Sequence, residues 1–182
     1  MPQPYHPPPT TSREEFFKDG TDQLFREAIY TWILSVERLL KCRKAFARLA
    51  GLSSSQFVVL MGAATLQKTN GVTIKEIAEH VALASTHVTT EIGRLEGKGL
   101  LAKRKHHTDR RSVLVSLTRN GEKLIDRVSP AVRETNDILF RDVTLKGLIS
   151  AHVVAIRLVA NSSDALSLLR KATVSTAKKA KS

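Results

Sequence analysis

The chain has 182 residues, of which 42% are hydrophobic, and it carries a formal net charge of +12 with a pI near 10.2. The apolar content is enough for a core and excludes wholesale disorder, while the length suits one compact domain with an added oligomerisation element. The excess of cations favours a polyanionic partner, either nucleic acid or an acidic membrane surface.

Residues 1–20 read as a disordered, proline-rich arm. Pro2, Pro4, Pro7, Pro8 and Pro9 oppose a helix and favour extended chain, with an embrace of a partner subunit as the alternative. Residues 21–52 read as a long helix, because Phe25, Ile29, Trp32, Val36, Leu39, Leu40 and Phe46 recur at spacings of three and four. Leu24, Ala28 and Ile33 widen that stripe, so the helix is expected to pack against its own domain and against something else. Ser53 and Gln56 have the spacing of a capping box for a second helix through about Gln67, and Asn70-Gly71 signals a turn.

Thr73 and Glu76 form another capping box, opening a short helix with Ile74, Ile77, Ala78 and Val81 inward. Ser85 is then expected to cap a helix that runs to Lys98 and stops at a left-handed Gly99. Its Val88, Ile92 and Leu95 point into a core. The opposite face holds Ser85, Thr86, Thr89, Thr90, Gly93 and Arg94, which is small, hydroxylated and uncharged until Arg94. A merely solvated face would more often carry Lys and Glu, so close approach to a phosphate-lined groove fits better.

Leu100-Leu101-Ala102 onward and Val113 to Leu117 read as two strands around a polar tip. Between Lys98 and Arg111 lie six Lys/Arg against Asp109 alone. A helix followed at once by a cationic hairpin is the surface a winged helix-turn-helix offers to duplex DNA, with the helix in the major groove and the wing beside it. Thr118 caps the next helix, with Leu124, Ile125, Val128, Val132, Ile138 and Leu139, in which Pro130 predicts a kink or break near Val128. A last amphipathic helix spans Leu145 to Leu169, anchored by Leu148, Ile149, Val153, Ile156, Val159, Leu166 and Leu169, with Asn161-Ser162-Ser163-Asp164 as a point of interruption. Residues 171–182 read as a basic, disordered tail.

The expected fold is therefore mainly α with a small β-hairpin wing: a winged helix-turn-helix domain at 53–120 between the helix of 21–52 and those of 121–170. The run Thr73 to Ala78, Ser85 through Thr90, Leu95-Glu96 to Leu100, Asp109-Arg110-Arg111 and Leu117-Thr118-Arg119-Asn120-Gly121 resembles the multiple-antibiotic-resistance regulator (MarR) family. The resemblance follows the element order from about Phe25 to Leu169 and is specific between Ile74 and Gly121. It implies an obligate homodimer whose N- and C-terminal dimerisation helices interlock, holding two winged helices over a pseudo-palindromic operator. It further implies a transcriptional regulator, most often a repressor, released from DNA by a small aromatic or lipophilic effector such as an aromatic acid or its coenzyme A thioester.

By that resemblance the wing arginine falls on Arg111, entering the minor groove, with Asp109 orienting it through a charge-assisted hydrogen bond. A narrow minor groove concentrates negative potential and favours an inserted guanidinium, although an Asp109–Arg111 pair also suits a tight surface turn. Lys103, Arg104, Lys105, His106, His107 and Arg110 are expected to contact phosphates, and Ser85, Thr86, Thr89, Thr90 and Arg94 base edges or phosphates. For an effector, Ile29, Trp32, Val36, Phe57 and Met61 are candidate lining residues, with Arg26, Tyr30 or Arg38 as a polar handle. Ordinary packing explains the same apolar stripe.

Other chemistries find little support. Cys42 lies between Lys41 and Arg43, which would favour its thiolate, but no second cysteine is present to resolve an oxidised sulfur, so a structural role is expected. His106 and His107 are adjacent rather than at ligand spacing, so no metal and no cofactor are expected. No glycine-rich phosphate loop, nucleophile elbow or paired carboxylates indicate an enzyme. No apolar run has membrane-span length and the start of the chain lacks a secretory apolar region, so a cytoplasmic protein with no membrane partner is expected. Two rival readings stay open at this point: an architectural, non-specific DNA-binding protein, and a winged-helix module docking an acidic protein.

Overall fold

A computed structural model describes residues 5–67, 69–105 and 113–179, with side chains left out of account from 174 onward. Among the described residues, six α-helices and three strands follow in the order α1 (Gln23–Leu49), α2 (Ser54–Leu66), β1 (Val72–Thr73), α3 (Ile74–Val81), α4 (Ser85–Gly97), β2 (Leu101–Lys105), β3 (Val113–Leu117), α5 (Arg119–Leu139) and α6 (Leu145–Lys179). The chain divides into two compact units, Met1–Val132 and Arg133–Ser182. Among the described residues no single helix is long and apolar enough to cross a membrane.

The first unit is built around α2. Ser53 accepts the Gln56 N–H at 3.1 Å while Gln56 Oε1 accepts the Ser53 N–H at 3.3 Å, so the capping box starts α2 as its sequence predicts. Thr73 and Glu76 do the same for α3. Val59, Leu60 and Ala63 of α2 are buried together with Ile77 and Ala78 of α3, Val88, Ile92 and Leu95 of α4, Leu101 and Val115 of the sheet, and Leu124 and Val128 of α5. The stripes read for α3, α4 and the first half of α5 therefore meet in one core. Phe46, near the end of α1, stands against Phe57 at 6.4 Å between ring centroids.

The sheet has three strands, not the expected two. Its order is β1-β3-β2, antiparallel throughout, with Val72 opposite Val115 and Lys103 opposite Val115 on the other side. Two residues of β1 are too few to show alternation, so the sequence carries no strand signal there. Ahead of the start of β1, the Gln67 side chain extends the pairing by accepting the Leu117 N–H at 2.8 Å.

The α4 helix closes as predicted. Gly99 has φ +69° and donates its N–H to the Glu96 carbonyl at 2.8 Å, while Leu100 donates to Leu95 at 2.9 Å, the paired bonds of a Schellman motif. Thr118 Oγ1 then donates to the Gly99 carbonyl at 2.6 Å and accepts the Gly121 N–H at 3.1 Å, tying the start of α5 to the end of α4. Gly121 lies so close that a Cβ there would collide with the Leu100 carbonyl oxygen.

Five expectations are corrected. Ser85 is the first residue of α4 rather than its cap; Ala84 holds the cap position and supplies no side-chain bond. The α5 helix is continuous through Pro130, and α6 runs unbroken across Asn161–Asp164 to Lys179, where interruption and then disorder were expected. The N-terminal arm is ordered from Thr10 onward. The buried Asp22 carboxylate accepts the Thr10 N–H at 2.6 Å and the Thr10 hydroxyl at 2.8 Å, and Phe16 stacks on Phe25 at 5.0 Å. The Thr10 N–H holds the Asp22 carboxyl below the usual carboxylate range, helped by the Thr10 hydroxyl and Arg26 and opposed by burial. Arg26 Nη1 lies 2.9 Å from Asp22 but makes no aligned hydrogen bond, so that contact is electrostatic.

The second unit consists of the last residues of α5 and the whole of α6. Every described α6 side chain is exposed, including Leu148, Ile149, Val153, Ile156, Val159, Leu166 and Leu169. In the first unit, the middle of α1 is similarly open, with Tyr30, Trp32, Ile33, Val36, Leu39 and Leu40 exposed.

Candidate nucleic-acid interface

The interface is built on α3, the turn after it, α4 and β2. The α3 helix ends at Ala82 in the left-handed conformation, φ 53° and ψ 44°, and Leu83 returns its N–H to the Ala78 carbonyl at 3.1 Å. This turn launches α4 away from α3, giving a helix-turn-helix. Val88, Ile92 and Leu95 are fully buried and fix the rotation of α4, which turns Ser85, Thr86, Thr89, Thr90, Gly93 and Arg94 outward to solvent.

That outer face has a definite hydrogen-bonding character. Thr89 donates its hydroxyl to the Ser85 carbonyl at 2.8 Å and Thr90 to Thr86 at 3.1 Å. Their protons are committed to the helix, so outward they offer methyl groups and oxygen lone pairs. Such groups suit thymine methyls and the amino donors of adenine or cytosine. No side chain caps the first turn of α4, so its leading N–H groups stay free for phosphate oxygens.

The cations are less uniform than their sequence suggests. Arg94 pairs with Glu91 Oε1 at 2.7 Å, and Lys103 pairs with Glu96 Oε2 at 2.7 Å. Strand alternation puts Lys103 and Lys105 on the face of Leu101, toward α4, and Arg104 on the opposite face. Among the described residues Arg104 and Lys105 make no ion pair. The Lys103–Glu96 pair is part-exposed and worth little, so its exchange for a phosphate costs little. The Glu91 carboxylate, by contrast, is buried, and losing Arg94 to a phosphate would leave that charge unpaired. His106, His107, Asp109, Arg110 and Arg111 lie outside the described residues.

Glu91 is the residue that the sequence reading missed. It is 2% exposed, its Oε2 has no hydrogen-bond partner, and His87 Nε2 stands 3.9 Å from Oε1. The signal was available: Val88, Glu91, Ile92 and Leu95 fall at i, i+3, i+4 and i+7, the full width of a buried stripe.

The candidate effector residues are not gathered at one place. Phe57 and Met61 line a cavity of about 300 Å³ between α1, α2 and α3, together with Arg43, Thr65, His80 and Val81. Arg26 is committed to Asp22, Ile29 is half-buried, and Tyr30, Trp32, Val36 and Arg38 are exposed along α1. Cys42 is half-buried on the same helix.

Comparison with known proteins agrees with this architecture. Residues 52–113, which run from just before α2 to the first residue of β3, match the model of the MarR family. The chain is similar to that family over about a third of its length. It is 29% identical over 100 residues to the transcriptional activatory protein BadR of Rhodopseudomonas palustris, a match covering 52% of this chain and 57% of BadR. The chain thus matches little more than half the length of that relative.

Among solved structures, a MarR-family transcriptional regulator from Silicibacter pomeroyi superposes with a TM-score of 0.62 at 20% identity, covering 83% of this chain and 96% of the other. CouR from Rhodococcus jostii RHA1, solved with p-coumaroyl-CoA, gives 0.62 at 19% identity, covering 76% and 95%. At these identities the likeness establishes the winged-helix fold and nothing finer.

Proposed function

We propose that this protein is an effector-responsive transcriptional regulator that binds a pseudo-palindromic DNA operator as a homodimer and represses by occupying it. The observation that carries the reading is the outer face of α4. Its uncapped N-terminus and small hydroxylated side chains stand beside a strand that leads Arg104 and Lys105 toward the wing. In this reading α4 enters the major groove, Arg111 with Asp109 enters the minor groove, and Lys103, Arg104, Lys105, His106, His107 and Arg110 hold phosphates. The exposed apolar faces of α1 and α6 supply the dimer contacts. The effector is an aromatic acid or its coenzyme A thioester. CouR, which shares the fold, holds p-coumaroyl-CoA.

The test is selection of genomic fragments with purified protein, followed by fluorescence anisotropy on the best fragment and on random duplex at one fixed salt concentration. One inverted repeat should emerge, bound at least about a thousandfold more tightly than random DNA. Arg111→Ala should weaken operator binding about tenfold or more while the protein stays a folded dimer, since one inserted guanidinium is lost per half-site. Equal affinity for random duplex would replace the regulator by an architectural protein. A reporter carrying the selected repeat then reads the sign of regulation, and increased transcription would overturn repression.

A further inference from the structure

A second cationic site lies at the other end of α4. The ends of α1 and α4 meet the first turns of α5 around an open cleft of about 420 Å³. Lys98, from the end of α4, reaches the Gly51 carbonyl at 3.5 Å. Lys123 and Arg127, four apart on α5, share one face of that helix and line the same cleft, with the Asn120 amide beside them. Leu52 and Leu124 give it an apolar floor. No carboxylate lines it, and among the described residues none of the three cations makes an ion pair.

Three cations converging on one cleft repel one another unless an anion joins them, and its low-dielectric wall of leucines strengthens both effects. A guanidinium fork with two ammonium groups matches the several oxygens of a phosphoryl group better than a single carboxylate. The cleft volume is in the range of small-molecule sites. At 1.5 Å per residue, the 13 residues of α4 put Lys98 roughly 20 Å along the axis from Ser85, so the cleft is separate from the groove-facing end.

We propose that Lys98, Lys123 and Arg127 form a binding site for a small phosphoryl anion, a phosphomonoester or pyrophosphate group with an apolar body over Leu52 and Leu124. The site is tied to the DNA-facing elements through Thr118, which bonds the Gly99 carbonyl at the end of α4 and caps α5. It does not depend on the operator reading and stands or fails by itself.

The experiment is calorimetric titration of the full chain with sodium pyrophosphate at ionic strength balanced by sodium chloride. One saturable site per chain is expected, weakened at least tenfold in a Lys123→Gln/Arg127→Gln variant. Both side chains are exposed, so the fold should persist, and circular dichroism checks it. An Arg104→Gln/Lys105→Gln variant should keep pyrophosphate affinity while losing duplex affinity, and saturating duplex should not displace pyrophosphate from the wild type. Absence of saturable binding, or equal affinity in the Lys123/Arg127 variant, would overturn the site. So would displacement by duplex, which would assign these cations to the DNA backbone. Failure of duplex binding with pyrophosphate binding intact would count against the operator reading alone.

Discussion

Val88, Ile92 and Leu95 of α4 retain 0% of their accessible surface, whereas Ile149, Val153 and Ile156 of α6 retain 55%, 53% and 52%. Both triads are aliphatic and spaced i, i+4, i+7 on a helix, so the sequence describes them in the same terms. The difference lies in what the chain supplies to cover them. The α4 stripe is covered by α2, α3 and the sheet, whereas the α6 stripe has no cover within its own unit. Helical periodicity reports that a face will leave water; it does not say which molecule provides the cover. The winged body is thus closed by its own elements, and the apolar lengths of α1 and α6 stay exposed within their own units.

Charging the open helix is the most direct way to break this comparison. In the proposed dimer, Val153→Asp with Ile156→Asp would put four carboxylates into the two-fold interface in place of four aliphatic side chains. Each lost burial is worth about 1.5–3 kcal/mol, so dimer affinity should fall at least about a thousandfold. Sedimentation equilibrium should then report a monomer whose winged body keeps its cooperative thermal transition. An unchanged dimer would mean that another surface carries the association.

The closed body is broken from within by a single methyl group. Gly121→Ala directs a Cβ into the Leu100 carbonyl oxygen, and this backbone atom cannot yield without moving the α4–β2 junction. A loss of about 3 kcal/mol is expected from such overpacking. Urea unfolding would measure it, and a loss below about 1 kcal/mol would show that α5 is free to shift on the sheet.

Local signals were the legible part of this fold. The Ser53/Gln56 and Thr73/Glu76 boxes, the Gly99 stop and the Thr118 cap each depend on residues three or four apart, and each stands where its spacing placed it. Non-local devices were not legible. Asp22 orders the arm by bonding Thr10 across 12 positions, and β1 exists only because β3 is there to pair with it. Composition alone points to disorder for 171–182, yet α6 reaches Lys179. On the candidate interface the hydroxylated face was legible by elimination from the buried stripe. The Arg94–Glu91 and Lys103–Glu96 pairs were not, since each depends on a rotamer and, for Lys103, on the approach of β2 to α4.

The smallest expected effect sharpens the comparison at the turn between α3 and α4. Ala82 is held at φ 53°, where an L side chain costs roughly 1–2 kcal/mol through the contact of its Cβ with the following carbonyl. Glycine removes that cost but brings a more flexible unfolded chain, which takes back about 0.5–1 kcal/mol. Ala82→Gly should therefore stabilise the winged body by about 0.5–1 kcal/mol. Because the turn keeps the same backbone, the dimerisation constant and the affinity for duplex should not change. Differential scanning calorimetry would separate the two outcomes. A raised transition with unaltered association marks the body as a unit that folds on its own contacts. A fall in stability would mean that the Ala82 methyl contributes more by its contacts than the left-handed turn costs.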